Sequence, residues 1–568
     1  MTDYAHNAVT LQQLIDNNQT SKQQLRALSQ LNDYANSIID IPFVQLRLDS
    51  RQVTADDVFV LLASQTQSYE ASCRYLQQAA KSAAFILSEI EPSTLLNTSS
   101  LVTATAGQAS SPQVDSDQAS SSQVDSDQLA AQQQLAELGC PVIYVPNIRE
   151  LLGDFAQALL QHSQPVKLPT VVAVTGTNGK TTISQLVAQL GQLATMSSAV
   201  MGTAGNGRLG ALVQASHTTG DALAVQQFLH QMGTEGVELL ALEASSHGLD
   251  QQRLQGVPVT VAIYTNLSRD HLDYHANMEE YVAAKAKLFN KTYFPSLTHA
   301  IINSDDEHAQ VMLDTAHASQ LIVWTYSLQA SASATFVTAS IKPSLQGVEI
   351  DLVSEFGNIS IVSPLLGRFN VANLLAAIAA VVALGVDIEQ LASLVAQLQG
   401  AVGRMQRIAS NDGCFIVDYA HTPDALTQVL DSLRTHCTGE LWAVFGCGGD
   451  RDTGKRPLMA QAGLAGADRV ILTADNPRTE DPQQILQDMQ AGMSTEQYQR
   501  THIEAARKQA IEYAVSHASV DDIVVIAGKG HETYQEIQGV RHDFDDTVVL
   551  AEALRRAGRL SLPTAARL

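Results

Sequence analysis

Apolar positions along this chain fall into two rhythms. Residues 171–174, 237–242, 259–264, 415–417, 441–445, 470–472 and 523–527 are short apolar runs, the pattern of strands covered on both faces. Elsewhere the period lengthens. Ile183, Leu186, Val187 and Leu190 recur at i, i+3, i+4 and i+7, which predicts a helix opening near residue 180. A second helix is predicted over 278–289, with Tyr281, Lys285 and Leu288 on one face. The longest apolar run, 374–386, is too short to span a bilayer and reads as a buried helix. Strands alternating with helices predict an α/β chain with largely parallel sheets.

Both rhythms fail between about residues 92 and 134. That stretch is rich in Ser, Gln and Asp and contains a tandem decapeptide, ASSPQVDSDQ at 109–118 and ASSSQVDSDQ at 119–128. Such a composition buries too little apolar surface to offset the entropy of ordering it, so a disordered insertion is expected, with a regulatory linker as the alternative. Strand character resumes at residue 141, and residues 165–169, bounded by two prolines, read as a hinge. A further α/β unit begins at Gly403. Three domains are expected: 1–167 with the insertion, 168–402, and 403–568.

Composition narrows the partners. The 568 residues carry 34 Lys+Arg against 58 Asp+Glu, a net charge of −24, which argues against nucleic acid or an anionic membrane. An anion site must then be made locally, from helix N-termini and a few placed cations. The five cysteines include no CxxC pair, fitting a reduced compartment. The first residues lack signal-peptide character, so a cytoplasmic protein without membrane insertion is expected.

The candidate chemistry starts at residues 171–182, VVAVTGTNGKTT, an apolar strand entering a glycine loop and then a helix. Backbone N–H groups around Gly176 and Gly179 can face phosphate oxygens, Lys180 can reach the β/γ region, and the Thr181 hydroxyl can hold Mg²⁺. The loop is shorter than GxxxxGK[ST], since Val174 stands where that pattern has its first glycine. A plain strand-to-helix glycine turn is the alternative. Glu243 closes another strand at the same sheet edge and suits a hard metal. His271 and His275 lie four apart with Asp270 and Asp273 between them, but no third soft ligand accompanies them to make a zinc site. Lys285 sits on an apolar helix face, where spacing alone favours an ammonium that snorkels to water. In the last third, four strands each run into a polar cluster: DYAH at 418–421, GCGGDRD at 446–452, DNPR at 475–478 and GKGHE at 528–532. Loops at strand carboxyl ends should converge on one crevice.

Taken in order, LDSR (48–51), GTNGKTT, HTTGD, LEASSHGL, TNLSRDHLDYH, YVAAK, GRFNVANLL, DYAHTPDAL, FGCGGDRDTGKRP, DNPRTEDP and AGKGHE resemble the Mur ligase family. The resemblance implies three domains: one for a uridine nucleotide, a central ATPase of P-loop type with a mostly parallel sheet, and a mobile Rossmann-like C-terminal domain. It implies an ATP- and Mg²⁺-dependent amide ligase of peptidoglycan precursor synthesis, expected as a monomer. The implied substrates are UDP-N-acetylmuramoyl-L-alanyl-D-glutamate and meso-2,6-diaminopimelate, with L-lysine addition, a folylpolyglutamate synthetase, or a nucleotide switch without turnover as alternatives.

Residue by residue, the resemblance gives ATP to Gly176, Thr177, Asn178, Gly179, Lys180, Thr181 and Thr182, with Asn370 and Asn373 near adenine and Arg404 and Asp418 reaching phosphate and ribose. Leu48 and Ser50 would meet the uridine end; Thr218, Thr219, Ser245, Gln251 and Arg253 would meet the muramoyl-dipeptide. Arg451, Asp475, Asn476, Pro477, Arg478, Gly528 and Glu532 would form the amino-acid pocket. Catalysis would rest on Lys180, Glu243, His271 and Lys285. The YxxAK match reverses the snorkelling reading, making Lys285 a carbamate that shares metal with Thr181, Glu243 and His271. After LDSR the chain lacks the glycines and Asp-Gly usual in the family, and the repeat is unusual there.

Overall fold

A computed structural model describes residues 8–17, 38–64, 68–91, 94–95, 139–215, 217–272, 274–344 and 347–560. The decapeptide repeat and nearly all of the expected insertion lie outside the described residues, as does Asp273.

Three large sheets follow one another along the chain, and a two-stranded antiparallel hairpin, Tyr534–Ile537 with Val540–Asp543, comes after them. The first has four parallel strands in sequence order, Gln45–Arg47, Asp57–Leu61, Phe85–Ser88 and Val142–Tyr144. The second is ten-stranded. At its centre the phosphate-loop strand Thr170–Thr175 lies between Leu239–Glu243 and Val259–Tyr264, all parallel. His299–Asn303 and Ile322–Ser327 continue the parallel run outwards, and the antiparallel meander Phe336–Ser344, Gly347–Ser354, Ile359–Ser363 closes that side. The third sheet has the order Gln406–Ile408, Cys414–Asp418, Ile523–Ala527, Leu441–Phe445, Arg469–Leu472, Thr501–Ile503, parallel except at its first pair.

The periodicities explain the packing. Ile183, Leu186, Val187 and Leu190 on the helix Lys180–Leu193 are all 0% exposed, in one core with Leu374, Leu375, Ile378 and Val381 of the helix Arg368–Ala383. The predicted 278–289 helix is an α-helix at Met278–Ala286 finished by a 3₁₀ turn, Lys287–Phe289. The apolar run at 374–386 outlasts its helix, which ends at Ala383 before Gly385 at φ 95°.

The second and third sheets are joined by contacts as well as by chain. Leu366 lies in the core of the third, beside Leu430 and Leu433. The next residue, Gly367, donates its N–H to His436 Nε2 at 2.9 Å, while His436 Nδ1 meets the Ser344 carbonyl at 2.8 Å. An N–H arriving at Nε2 places the imidazole proton on Nδ1, which donates to Ser344. Among the described residues no helix is long and apolar enough to cross a membrane.

Candidate active site

The strand Thr170–Thr175 delivers the loop to the sheet's carboxyl edge, and the loop turns only because two glycines permit it. Gly176 has φ 149° and Gly179 φ 88°. A Cβ at Gly176 would lie 1.9 Å from Thr265 Oγ1, and one at Gly179 2.5 Å from Asn373 Oδ1. Lys180 curls back so that Nζ donates to the Gly176 and Thr177 carbonyls at 2.9 and 2.8 Å. Burial pulls its ammonium below the ordinary lysine value; Glu243 opposes the shift and Arg404 adds to it. Thr181 and Thr182 are buried in the first turn. The loop therefore offers a backbone cradle that side chains would fill, together with a lysine tethered to carbonyls of the same loop, and this fits a polyphosphate.

Glu243 ends its strand beside this loop, 2% exposed, and accepts from the Thr203 N–H at 2.8 Å and the Thr203 hydroxyl at 3.1 Å. Thr203 Oγ1 reaches Thr218 Oγ1 at 3.0 Å, and Thr219 Oγ1 donates to the Glu243 carbonyl at 2.8 Å. Lys285 is 1% exposed, so the snorkelling expectation from spacing fails: the helix face packs against the phosphate loop, not water. Its Nζ donates to the Gly176 carbonyl at 2.8 Å and lies 4.5 Å from the Tyr281 ring centroid. Burial holds this amine well below the ordinary lysine value, with the neighbouring Lys180 charge pressing the same way.

His271 has φ 53° and stands edge-on to His247, ring centroids 5.0 Å apart. His275 is 4% exposed and packs on Tyr281 and Tyr274. Among the described residues no three His, Cys, Asp or Glu side chains gather to hold a metal. The expected Mg²⁺ set contains only two such residues, Glu243 and His271; Thr181 and a modified Lys285 would supply its other oxygens, so its fit depends on that modification.

Arg253 donates to Gln251 Oε1 at 2.7 and 3.0 Å and to the Thr219 carbonyl at 2.9 Å; Gln251 passes the chain on to the Tyr274 hydroxyl at 3.1 Å. Ser245 caps the short helix Ser246–Asp250. Gln251 and Arg253 line a 180 Å³ cavity with Arg149, His217 and Asp221, and Gln251 also borders a 710 Å³ cavity reaching Leu48, Tyr75 and Arg149. One cleft thus runs from the first sheet to the second. Ser50 stays out of it, buried with its hydroxyl on Gln78 at 3.2 Å. Arg149 was not singled out from sequence; it is fixed by Glu89 at 2.8 Å, a partner 60 residues away.

Asn370 and Asn373 lie buried in the first turns of Arg368–Ala383, with Asn373 Nδ2 donating to Asn370 Oδ1 at 3.2 Å. Arg404 stacks 4.6 Å from the Tyr419 ring centroid, with its Nε buried and unpartnered among the described residues. Asp418 accepts N–H groups from Met405 and Ala420 at 2.7 Å each, and burial raises its carboxyl above the usual range, Arg404 opposing.

The four loops do meet. Gly528 donates to the Asp418 carbonyl at 3.1 Å and Gly449 to the Asn476 carbonyl at 2.9 Å, while Asn476 Nδ2 reaches Glu532 at 2.9 Å. Arg478 has φ 50° and donates to the Gly449 carbonyl at 2.7 Å. It does not cap its loop through acids nearby, since Glu480 belongs to Arg456 at 2.8 Å and Asp481 caps the helix Pro482–Gln490. Pro477 adjoins Gly449, where a Cβ would lie 2.0 Å from the Pro477 carbonyl; Arg451 is exposed.

A phosphate-binding type of loop, a separate cleft leading in from the first sheet and four loops converging in the third fit a nucleotide-dependent enzyme. Comparison with known proteins specifies the class. The Mur ligase middle domain matches residues 174–381 and the Mur ligase glutamate ligase domain matches 403–530. Over 521 residues the chain is 39% identical to a UDP-N-acetylmuramoyl-L-alanyl-D-glutamate--2,6-diaminopimelate ligase of Haemophilus ducreyi, covering 90% of this chain and 96% of that one. The ligase of the same name from Chromobacterium violaceum is 43% identical over 427 residues, 75% of this chain and 84% of that one. A solved structure bearing that name superposes with TM-score 0.69 at 41% identity, over 98% of this chain and all of the other (100%). MurF from Acinetobacter baumannii shares the fold, with TM-score 0.55 at 16% identity over 92% of this chain and 96% of that one. The chain belongs to the Mur ligase family, and it is an ATP-dependent ligase.

Proposed function

We propose that this protein joins meso-2,6-diaminopimelate to UDP-N-acetylmuramoyl-L-alanyl-D-glutamate, in three domains spanning about 1–167, 168–402 and 403–568. The observation that carries the choice of amino acid is Arg478, whose guanidinium is anchored on the Gly449 carbonyl and forms no ion pair among the described residues. Diaminopimelate differs from lysine by one distal carboxylate. A planar cation at the crevice can pair with that group, whereas lysine would bring its own ammonium towards it.

The side-chain carboxylate of the D-glutamyl residue attacks the γ-phosphate of ATP to give an acyl phosphate and ADP. The amine then displaces phosphate through a tetrahedral intermediate, and no protein nucleophile is needed. Lys180 leaves its two carbonyls for the phosphates. Arg404 approaches from the third domain, its unpartnered Nε available to the nucleotide. Bound Mg²⁺ would neutralise phosphate charge, held by Thr181, Glu243, His271 and a carbamate on Lys285. The depressed Lys285 amine supports that modification, because only a neutral amine adds carbon dioxide. Arg253 and Gln251 orient the dipeptide end in the cleft.

The test is ADP release with the muramoyl-dipeptide nucleotide, offering meso-diaminopimelate or L-lysine. Strong preference for the first is expected. Comparable kcat/KM for both would overturn the pocket assignment, and ADP release independent of acceptor and amine would favour a nucleotide switch.

A further inference from the structure

A buried ammonium lies beneath the amino-acid side of the crevice. The Lys529 side chain is 0% exposed, and its Nζ lies 3.1 Å from Asn476 Oδ1, 3.3 Å from Glu532 Oε2 and 3.4 Å from Asp475 Oδ1. Those three partners belong to the proposed pocket; Lys529 is assigned nothing there. The carboxylates keep an opening that the lysine lacks, Asp475 being 11% and Glu532 21% exposed at the side chain. The acids therefore face outward and the cation supports them from below.

The network also settles which way Asn476 points. Its Oδ1 accepts from Lys529 and from the Glu536 N–H at 2.9 Å, so its Nδ2 must turn to Glu532. An amide flip would aim the NH₂ group at the Lys529 ammonium, two donors with no acceptor between them. Charge counting gives the consequence. Two carboxylates over one ammonium leave a single net negative charge, which complements one ammonium group, while the Arg478 guanidinium across the same loop complements a carboxylate. Together they match the zwitterionic end of an amino acid.

We propose that Lys529 is a positioning residue for the incoming amino acid, holding Asp475, Asn476 and Glu532 in the arrangement that receives the ammonium group of its distal, carboxylate-bearing end, not the amine that attacks. This rests on the ligase reading above and extends it to a residue that never touches the substrate. Without the cation, two carboxylates face one another unneutralised and the Asn476 amide loses the partner that fixes its orientation.

The experiment is steady-state kinetics of the full chain with all three substrates, comparing wild type, Lys529→Met and Lys529→Gln. The glutamine keeps an N–H donor in the cavity without the charge. KM for meso-diaminopimelate should rise at least tenfold in the methionine variant and less in the glutamine variant, while KM for ATP and for the muramoyl-dipeptide nucleotide stays within about twofold. An unchanged KM for diaminopimelate, or a parallel rise for all three substrates, would overturn the proposal. So would failure of both variants to fold, which would make Lys529 a stability residue. A wild-type enzyme inactive with every amino acid would instead refute the ligase reading, which separates the two failures.

Discussion

At the level of single residues, burial decided what spacing could not. Lys285 occupies an apolar helix face, where a lysine ordinarily extends its ammonium to water, yet its Nζ is locked on the Gly176 carbonyl. We predict that Lys285→Ala leaves ATP binding largely intact and abolishes turnover, with partial rescue by a small added carboxylic acid that supplies the missing oxygens. Full activity of the alanine variant, measured as ADP release, would refute the carbamate. Arg478 is the second case. Losing one partner of a desolvated charged pair costs about 2–5 kcal/mol, equivalent to roughly 30-fold to several thousand-fold. Arg478→Ala should therefore depress kcat/KM for diaminopimelate by that order while KM for ATP holds. DNPR was legible because it is contiguous. Arg149 was not, since its standing as a cleft residue depends on Glu89 and on the closing of two sheets around it.

Among the elements, those the sequence located well are strands buried on both faces, marked by apolar runs of five or six residues, too short for a helix. Leu441–Phe445, Val259–Tyr264 and Ile523–Ala527 coincide with their predicted bounds. The strand expected at 237–242 and closed by Glu243 runs Leu239–Glu243; its start is later because the Val237 N–H donates to the Met232 carbonyl at 2.9 Å, at the end of the preceding helix. The phosphate loop and its helix make the test at this scale. Alanine at Gly179 would adopt φ 88° and drive Cβ against the Asn373 amide at 2.5 Å. The left-handed conformation alone costs roughly 1–2 kcal/mol. Gly179→Ala should raise KM for ATP at least tenfold and leave affinity for the muramoyl-dipeptide nucleotide unchanged; nucleotide affinity equal to wild type would show that the loop does not hold the phosphates.

For the whole molecule, two expectations concern stability. Residues 89–141 connect parallel neighbouring strands, Phe85–Ser88 and Val142–Tyr144, so shortening that segment need not disturb their pairing. Leu95, inside the expected insertion, is 0% exposed and packs in one core with Phe59, Leu76 and Ile86, so it is not dispensable. Deleting about 97–126, beyond it, should leave ligation and the thermal midpoint nearly unchanged, because closure entropy grows only slowly with loop length; cooperative loss of folded protein would contradict this. The second expectation is a pH dependence. Burial lowers the imidazoles of His275, His299, His421 and His436, and holds His531 down to about 4. Unfolded, each takes a proton near pH 6.5, which the folded state resists. Their stabilisation is fully present above about pH 6.5 and is lost as pH falls towards the folded values. The thermal midpoint should drop between about pH 6.5 and 5, above the range where most carboxylates titrate, and less steeply in His436→Gln. A midpoint flat across that window would refute it.

The sequence by itself determined the α/β class, the phosphate loop, the central strands and the four loops that meet in the third sheet, because each is encoded in contiguous residues with a local physical reason. Apolar runs mark buried strands, and glycines mark the turn a phosphate needs. Only the tertiary structure decided which polar groups are buried together. Lys285 on Gly176 spans 109 residues, Lys529 on Asp475 spans 54, and His436 on Gly367 spans 69. A lysine or histidine reads the same in the chain whether it ends in water or against a carbonyl. Its environment is set by elements distant in sequence, and burial then fixes its charge state and its partners.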